Sequence, residues 1–464
     1  MRRHILLAAA FVAFSSPSIA ANVTEDYVRV PMPPGFQVIN TELEGNVFAD
    51  AKGRTLYEWP LKPMRVGTTG DPAGKSLCTD KVEREEGGHQ SPYPAGMLMP
   101  DLERRPSCVQ MWPPVLADKD ALPVGDWTIV TRPDGNRQWA YNQQPLYTAV
   151  LDRKPGDTIG GTKRDMSPGV SSRPAVRNPV GPPPSVPPGF DVLSTVNGRL
   201  LVTASNSSRK PSLYTFEKDT AAKSACVGEC LDSWIPALSP AELALPPSKE
   251  WAFLERSPGV RQWVFRGKPV YTHVADMGFR ADGMSVEGSD TPGWALVYTQ
   301  VAPEIPSELK RQVTIAGETL ADARGRTIYL YFCQDDADDQ LPCDHPDTTQ
   351  VFRMGVCGGG DAERCKRRFP LVLASANAKS PSRAWSVMDI DPLTGRIAQP
   401  GDTGAVRVWA YRDRPLYTFD GDPAPKVGDR GPGDFEADGL GEWKGQRHGY
   451  TAFWLRDDFY GRTN

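Results

Sequence analysis

The chain has 464 residues, a formal net charge of −4, and 45 Pro with 43 Gly. Those two residues make up roughly 19% of it, against an average nearer 12%, and both disfavour helix interiors, so a helix-rich fold is excluded. Its 12 Trp, 14 Tyr and 16 Phe exclude a disordered chain, and the lack of a basic stripe or of an RNA-binding aromatic box argues against nucleic acid as a partner.

The N-terminus reads as an export signal. Arg2, Arg3 and His4 form a basic start, Ile5 to Phe14 an apolar run too short to span a bilayer, and Ser18-Ile19-Ala20 a small-residue cleavage site. The expectation is a signal peptide over 1–20, cleaved after Ala20, and a bacterial periplasmic or secreted protein. No later run of 18 apolar residues exists, so no transmembrane segment is expected.

Three repeats follow. The clearest unit is Trp-x-aromatic with a Tyr eight residues after the Trp: Trp139-Ala140-Tyr141 with Tyr147 and Asp152, Trp263-Val264-Phe265 with Tyr271 and Asp276, and Trp409-Ala410-Tyr411 with Tyr417 and Asp422. Trp127, Trp251 and Trp385 each open an alternating stretch before it. Alternation places both aromatics of Trp263-Val264-Phe265 on one strand face, and Arg266-Gly267-Lys268 fits a three-residue hairpin loop. Each late half-unit is therefore expected to be a three-stranded meander. Early half-units, centred on Tyr57, Tyr214 and Tyr329, read as hairpins with turns at Lys52-Gly53 and Arg324-Gly325. The expected modules run over 27–160, 186–302 and 309–458. Residues 161–186 read as a solvated linker, because they carry Pro168, Pro174, Pro179 and Pro182-Pro183-Pro184.

The eight cysteines lie in register with the repeats. Cys108, Cys230 and Cys365 each stand four residues before an aromatic, Trp112, Trp234 or Phe369. Cys78 follows Lys75-Ser76 and Cys226 almost repeats this after Lys223-Ser224. The register pairs Cys78 with Cys108, Cys226 with Cys230, Cys357 with Cys365, and leaves Cys333 with Cys343. An even count in an exported chain favours disulfides. The competing reading is a redox or metal-binding thiol site, although no C-x-x-C occurs.

The early half-unit of repeat two, Tyr214-Thr215-Phe216-Glu217-Lys218-Asp219 with Cys226, Cys230 and Trp234, resembles the bacterial secreted-repeat, lipoprotein-like family and its Tyr-x-(Phe/Trp/Tyr)-x-x-Asp motif. The resemblance covers nearly all of repeat two and, more loosely, the other two. It implies an exported protein of unknown biochemical function. There are departures: repeat one has Lys62 at the Asp position, repeat three has Gln334, and no lipid-bearing Cys follows the apolar run. If the motif Asp residues form a ligand site, repeats one and three have lost half of it. Otherwise each Asp caps a turn.

Other candidates are weaker. His89, Met97 and Met99 supply soft ligands suited to Cu(I). Asp335, Asp336, Asp338 and Asp339 supply oxygen ligands suited to Ca²⁺, or a solvated acidic loop. The repeated Trp and Tyr suit either a core layer or a platform for sugar faces. No catalytic constellation is present in local sequence, and no cofactor is required. The expected fold is all-β: three tandem small antiparallel modules, each of two half-units, with a six-unit propeller-like ring as the alternative. The expected function is non-enzymatic binding of an envelope component, a glycan or a protein. The alternatives are an accessory role in periplasmic electron transfer or copper handling, and a hydrolase with its site between modules.

Overall fold

The computed structural model describes residues 23–64, 67–80, 107–160, 178–195, 197–204, 210–276, 291–314, 317–331, 362–392, 397–399, 402–420, 446–447 and 450–452. Over these residues the chain is all-β, built of antiparallel strand pairs in several open sheets, none closed into a barrel.

Repeat one contributes β1 (Gln37–Thr41), β2 (Gly45–Ala49), β3 (Tyr57–Glu58), β4 (Lys62–Met64), β5 (Gly67–Thr69), helix α1 (Cys108–Met111), β6 (Trp127–Thr131), β7 (Arg137–Tyr141), β8 (Gln144–Pro145) and β9 (Asn178–Pro179). Repeat two contributes β10 (Phe190–Thr195), β11 (Gly198–Thr203), β12 (Tyr214–Phe216), a short 3-10 turn (Gly228–Asp232), β13 (Trp234–Pro236), β14 (Trp251–Ser257), β15 (Val260–Phe265), β16 (Lys268–His273), β17 (Trp294–Leu296) and β18 (Tyr298–Val301). Repeat three contributes β19 (Lys310–Thr314), β20 (Gly317–Ala321), β21 (Tyr329–Tyr331), helix α2 (Ala362–Arg368), β22 (Trp385–Ile390), β23 (Val406–Tyr411), β24 (Arg414–Tyr417), β25 (Gln446–Arg447) and β26 (Tyr450–Ala452).

The late half-units are meanders: β6-β7-β8, β14-β15-β16 and β22-β23-β24. Their second hairpin loop has two residues rather than three, since Phe265 pairs directly with Lys268. Both loop residues take positive φ in every copy: Asn142 and Gln143, Arg266 and Gly267, Arg412 and Asp413. That is the mirror-image turn whose twist matches the flanking strands.

Early and late half-units do not stand apart. In repeat two the order is β14-β15-β16-β12-β17, and in repeat three β22-β23-β24-β21-β26-β25. In repeat one a bridge between Tyr57 and Tyr147 makes the same junction. Each early Tyr strand thus lies beside the late Tyr strand of its own repeat, forming one sheet from two half-units.

The end of the Pro-rich segment is not a solvated linker. Asn178–Pro179 pairs with Tyr57–Glu58, and Val180 is buried in the core of repeat one. Phe48 N donates to Val180 O, Val180 N to Leu56 O, and Leu56 N to Phe48 O, closing a ring of three backbone hydrogen bonds. Leu201, Val297 and Leu213 form the same ring in repeat two. Val180 is therefore the counterpart of Val297, and β9 with Val180 completes repeat one. The approach is close: a Cβ on Gly181 would collide with the Asn46 carbonyl oxygen. Residues 161–177 lie outside the described residues.

Alternation explains which side chains turn inward. Trp127, Trp139 and Tyr141 pack with Phe48, Leu56, Leu146 and Val180; Trp251, Trp263 and Phe265 pack with Leu201, Leu213 and Val270; Trp385, Trp409 and Tyr411 pack with Leu320, Ile328 and Leu416. Trp139, Trp263 and Trp409 are 6%, 0% and 1% exposed. They form core layers, with edge-to-face contacts such as Trp251 on Trp263 at 5.8 Å.

The repeats touch through the tip of the β1–β2 hairpin. Leu43 inserts into the apolar core of repeat three. Beside it the Arg412 guanidinium donates to Glu44 at 2.8 Å, with both side chains buried. On the other side Gln300 of repeat two donates to the carbonyls of Thr41 and Glu42. The N-terminal segment joins in: the buried Glu25 carboxylate accepts from Arg199 Nη2 at 2.9 Å and from the Thr299 hydroxyl at 2.5 Å.

Candidate functional site

The motif tyrosines and aspartates meet inside each repeat, and they meet crosswise. In repeat two the early Tyr214 hydroxyl donates to the late Asp276 at 2.9 Å, and the late Tyr271 hydroxyl donates to the early Asp219 at 2.7 Å. Each carboxylate also holds a backbone N–H: Ser212 N at 2.9 Å on Asp276 and Ala225 N at 2.6 Å on Asp219. The chain folds this way because β12 and β16 are neighbours with Tyr214 opposite Tyr271. The Asp residues that follow the two strands then lie at opposite ends of the tyrosine pair. They are neither simple turn caps nor open ligands.

Repeat one has the same cross. Tyr57 donates to Asp152 at 2.8 Å, and Tyr147 donates to Asp71 at 2.5 Å. Lys62 is no replacement for the motif aspartate. It opens β4, and the β4–β5 hairpin is an insertion that carries the aspartate down the chain to Asp71. Repeat one has therefore lost nothing. Counting back from the cysteine finds the match: Asp71-Pro-Ala-Gly-Lys-Ser-Leu-Cys78 aligns with Asp219-Thr-Ala-Ala-Lys-Ser-Ala-Cys226. In repeat three Tyr329 and Tyr417 are also opposite each other. Asp422 lies outside the described residues.

A second polar layer, missed in the sequence, extends each cross. In repeat two Arg256 Nη1 donates to Ser224 Oγ at 3.0 Å and to Gln262 Oε1 at 2.7 Å, and Arg256 Nη2 to the Cys226 carbonyl at 3.0 Å. Ser224 Oγ lies 2.8 Å from the Tyr271 hydroxyl, and Gln262 Nε2 donates to Val270 O at 2.8 Å. Repeat one repeats this with Arg132, Ser76, Gln138, Cys78 and Leu146. Arg132 and Arg256 both stand five residues after a strand-opening Trp, a spacing legible in the sequence. In repeat three that position is Ile390 and the Gln position is Val408, both fully buried. The polar layer is there replaced by an apolar one.

Burial sets the protonation of groups in the cross. Burial pushes the Tyr271 hydroxyl up to about 12, reinforced by its hydrogen bond to Asp219, so it remains a proton donor at neutral pH. Burial also pushes the Asp152 carboxyl up to about 7, against the lowering effect of the Tyr57 hydroxyl and the Gly160 N–H.

Two cysteine pairs form disulfides beside these networks, Cys78–Cys108 with Cα atoms 5.4 Å apart and Cys226–Cys230 with Cα atoms 5.3 Å apart. Ser107 caps α1 through a capping box with Gln110, which sets Cys108 in the first turn. Cys333, Cys343 and Cys357 lie outside the described residues, as does the side chain of Cys365 in α2.

Aromatics at the sheet end of repeat two also stack. Trp234 lies on Trp294 at 3.5 Å and Phe216 on its other neighbour face at 4.7 Å, with His273 against Trp234 at 4.6 Å. Trp234 and Trp294 are buried, so these rings pack against each other rather than present a face to solvent.

The structure does not bear on the metal candidates. His89, Met97 and Met99, and Asp335, Asp336, Asp338 and Asp339, lie outside the described residues. Met111, close to the first set in sequence, is buried against Cys78, Cys108 and Trp112. Among the described residues no group of three metal-ligating side chains occurs. A small cleft of about 50 Å³ lies between repeats one and three, lined by Glu42, Asp157, Thr158, Arg383 and Arg412.

Residues 128–163 and 196–238 match the family model of a secreted repeat of unknown function. The first segment carries Trp139, Tyr147 and Asp152, the late half of the repeat-one cross, and the second Tyr214, Phe216, Asp219, Cys226 and Cys230, the early half of the repeat-two cross with its disulfide. No curated protein and no solved structure matches the chain. Among the described residues no helix is long and apolar enough to cross a membrane.

Proposed function

We propose that a chain carrying this secreted repeat is an exported, disulfide-stapled scaffold that works by binding rather than catalysis. One observation carries the reading: the repeated Tyr, Asp and Trp of the motif hold each other inside the fold. Tyr57, Tyr147, Tyr214 and Tyr271 are fully buried, and each donates to a carboxylate of its own repeat. What recurs in repeats one and two is thus a way of making a stable small β module, and specificity falls to the loops and outer faces, where the repeats differ. On this reading three modules, over 27–160 completed by β9 and Val180, over 186–302 and over 309–458, follow a cleaved signal ending at Ala20. They face an envelope component, a glycan or a protein in the periplasm or outside the cell.

The test is co-sedimentation of the purified full chain with isolated peptidoglycan and with outer-membrane fragments, run beside a hydrolase substrate panel and a metal assay. Saturable binding to an envelope polymer, without product release, is the expected result. Turnover of a glycan or ester substrate, or stoichiometric copper in protein prepared from the periplasm, would replace this reading.

A further inference from the structure

The two disulfides of the described residues differ in exposure. Cys78 and Cys108 are 1% and 2% exposed and share one apolar cluster with Tyr57, Met111 and Trp112. A thiol from outside reaches neither of them without opening that cluster. In repeat two only Cys226 is sealed, against Tyr214, Trp234, Tyr271 and Trp294. Cys230 is half-buried at the margin of the same cluster. On either side of it Val227, Gly228, Glu229, Leu231 and Asp232 are all exposed. The repeat-two disulfide thus presents one of its cysteines to solvent and keeps the other inside.

Cys226 is held independently of that bond. Its carbonyl accepts from Arg256 Nη2 at 3.0 Å, and the preceding Ala225 N donates to Asp219 at 2.6 Å. The turn bearing Cys230 is held less tightly. Cys230 N to Val227 O and Ser233 N to Cys230 O both measure 3.4 Å, longer than an ordinary N–H···O bond. Cysteines only 4 apart also close a small loop, so cutting their bond returns little entropy to the unfolded chain. Reduction here frees the turn while Cys226 and the cross beside it stay in place.

We propose that Cys226–Cys230 is a thiol–disulfide exchange site, at which an external dithiol reduces repeat two by attack on Cys230, while Cys78–Cys108 is a staple closed to such attack. A thiolate of the dithiol bonds to Cys230 Sγ as the Cys226–Cys230 bond breaks, and Cys226 Sγ leaves with the electron pair and takes up a proton. The second thiolate of the dithiol then attacks its own first sulfur. That step forms the internal disulfide of the dithiol and releases Cys230 Sγ, which takes up the second proton. Two electrons pass from the dithiol to the cysteine pair. The freed turn runs directly into β13, whose Trp234 lies opposite His273 of β16, and the Ser233 carbonyl beside it accepts from Val274 N. Reduction is thereby passed to the β13–β16 pairing.

The native full chain, treated with dithiothreitol and quenched with N-ethylmaleimide, tests the site when each cysteine pair is followed by peptide mass spectrometry. Cys226–Cys230 is expected to be reduced at least about tenfold faster than Cys78–Cys108, which waits for its cluster to open. Single variants locate the attack. Cys226→Ala leaves the Cys230 thiol, which should react with iodoacetamide at least about tenfold faster than the Cys226 thiol left by Cys230→Ala. Hydrogen exchange of the wild type after selective reduction should quicken at amides 229–235 and stay unchanged in β14 and β15. Equal reduction rates for the two bonds, a Cys226 thiol as reactive as Cys230, or loss of protection across β14 and β15 on reduction would each overturn the proposal. The wild-type kinetics and exchange decide it should a variant fail to fold.

Discussion

Tyr214 and Asp276, 62 residues apart in the chain, meet at 2.9 Å. The bond runs from the early half of the repeat to its late half, and the reciprocal bond from Tyr271 to Asp219 spans 52 residues the other way. Two strands that pair by only a short ladder are thereby locked at both ends. Removing Asp276 strands both the Tyr214 hydroxyl and Ser212 N in a buried place.

Asp276→Ala is expected to destabilise the protein by roughly 2–3 kcal/mol, the cost of leaving buried donors unmet. Tyr214→Phe should cost less, since it leaves Asp276 its backbone donor. The double variant should fall short of the sum by about 1 kcal/mol, the signature of partners in contact. Urea unfolding of the full chain measures all three. Strict additivity would mean the two groups do not stabilise each other.

The contrast between Arg256–Gln262 in repeat two and Ile390–Val408 in repeat three gives a second test. Arg256→Ile alone removes donors from Ser224, Gln262 and the Cys226 carbonyl, and should cost about 1–3 kcal/mol. Adding Gln262→Val converts the layer to its repeat-three form and should cost no more than the single change. Ile390→Arg in repeat three should be worse than either, by about 3–5 kcal/mol, because it places a charge in a buried layer whose Gln position is the apolar Val408. If Ile390→Arg unfolds at wild-type urea concentration, the apolar layer is not as closed as its burial indicates.

Disulfide removal should follow loop length. Cys78 and Cys108 are 30 apart in sequence and Cys226 and Cys230 only 4. Loop entropy then assigns about 3.7 kcal/mol to the first bond and about 2.1 kcal/mol to the second. Paired Ser substitutions, compared by thermal unfolding, should show the larger loss in repeat one. Non-reducing peptide mapping should also recover Cys333–Cys343 and Cys357–Cys365, and a cross-link between different repeats would break the register on which all four pairs rest.

The sequence carried the meanders because Trp-x-aromatic alternation and an eight-residue Trp-to-Tyr spacing are local. It also carried the pairing of Cys78 with Cys108 and of Cys226 with Cys230. It did not carry Asp71, because reading forward from Tyr57 runs into the β4–β5 insertion before reaching the aspartate. It did not carry the sheet junction, since strand neighbours such as β12 and β16 are set by long-range pairing with no local signature. Nor did it carry the fate of 178–185, where Pro-rich composition suits a linker and an edge strand equally well. Asn178 and Pro179 are held by Tyr57 and Glu58, far away in sequence.

The last prediction concerns the joint between repeats. Leu43 sits at a hairpin tip of repeat one, yet it is buried with Leu309, Leu320, Trp385 and Tyr411 of repeat three. Its neighbour Glu44 pairs with Arg412, and both side chains are nearly sealed from water. Leu43→Ala should therefore cost about 2–5 kcal/mol, the range for a buried Leu truncation, and the loss should appear in repeat three. Arg412→Ala should cost a comparable 3–5 kcal/mol, because it leaves the Glu44 carboxylate buried without its cation. The two changes act on one joint, so the double variant should lose less than the sum. Hydrogen exchange of β23 and β24, read against β15 and β16 of repeat two as an internal reference, distinguishes this from general weakening. If Leu43→Ala accelerates exchange only around β1 and β2, the tip is a passive loop laid on repeat three and the repeats are held together elsewhere.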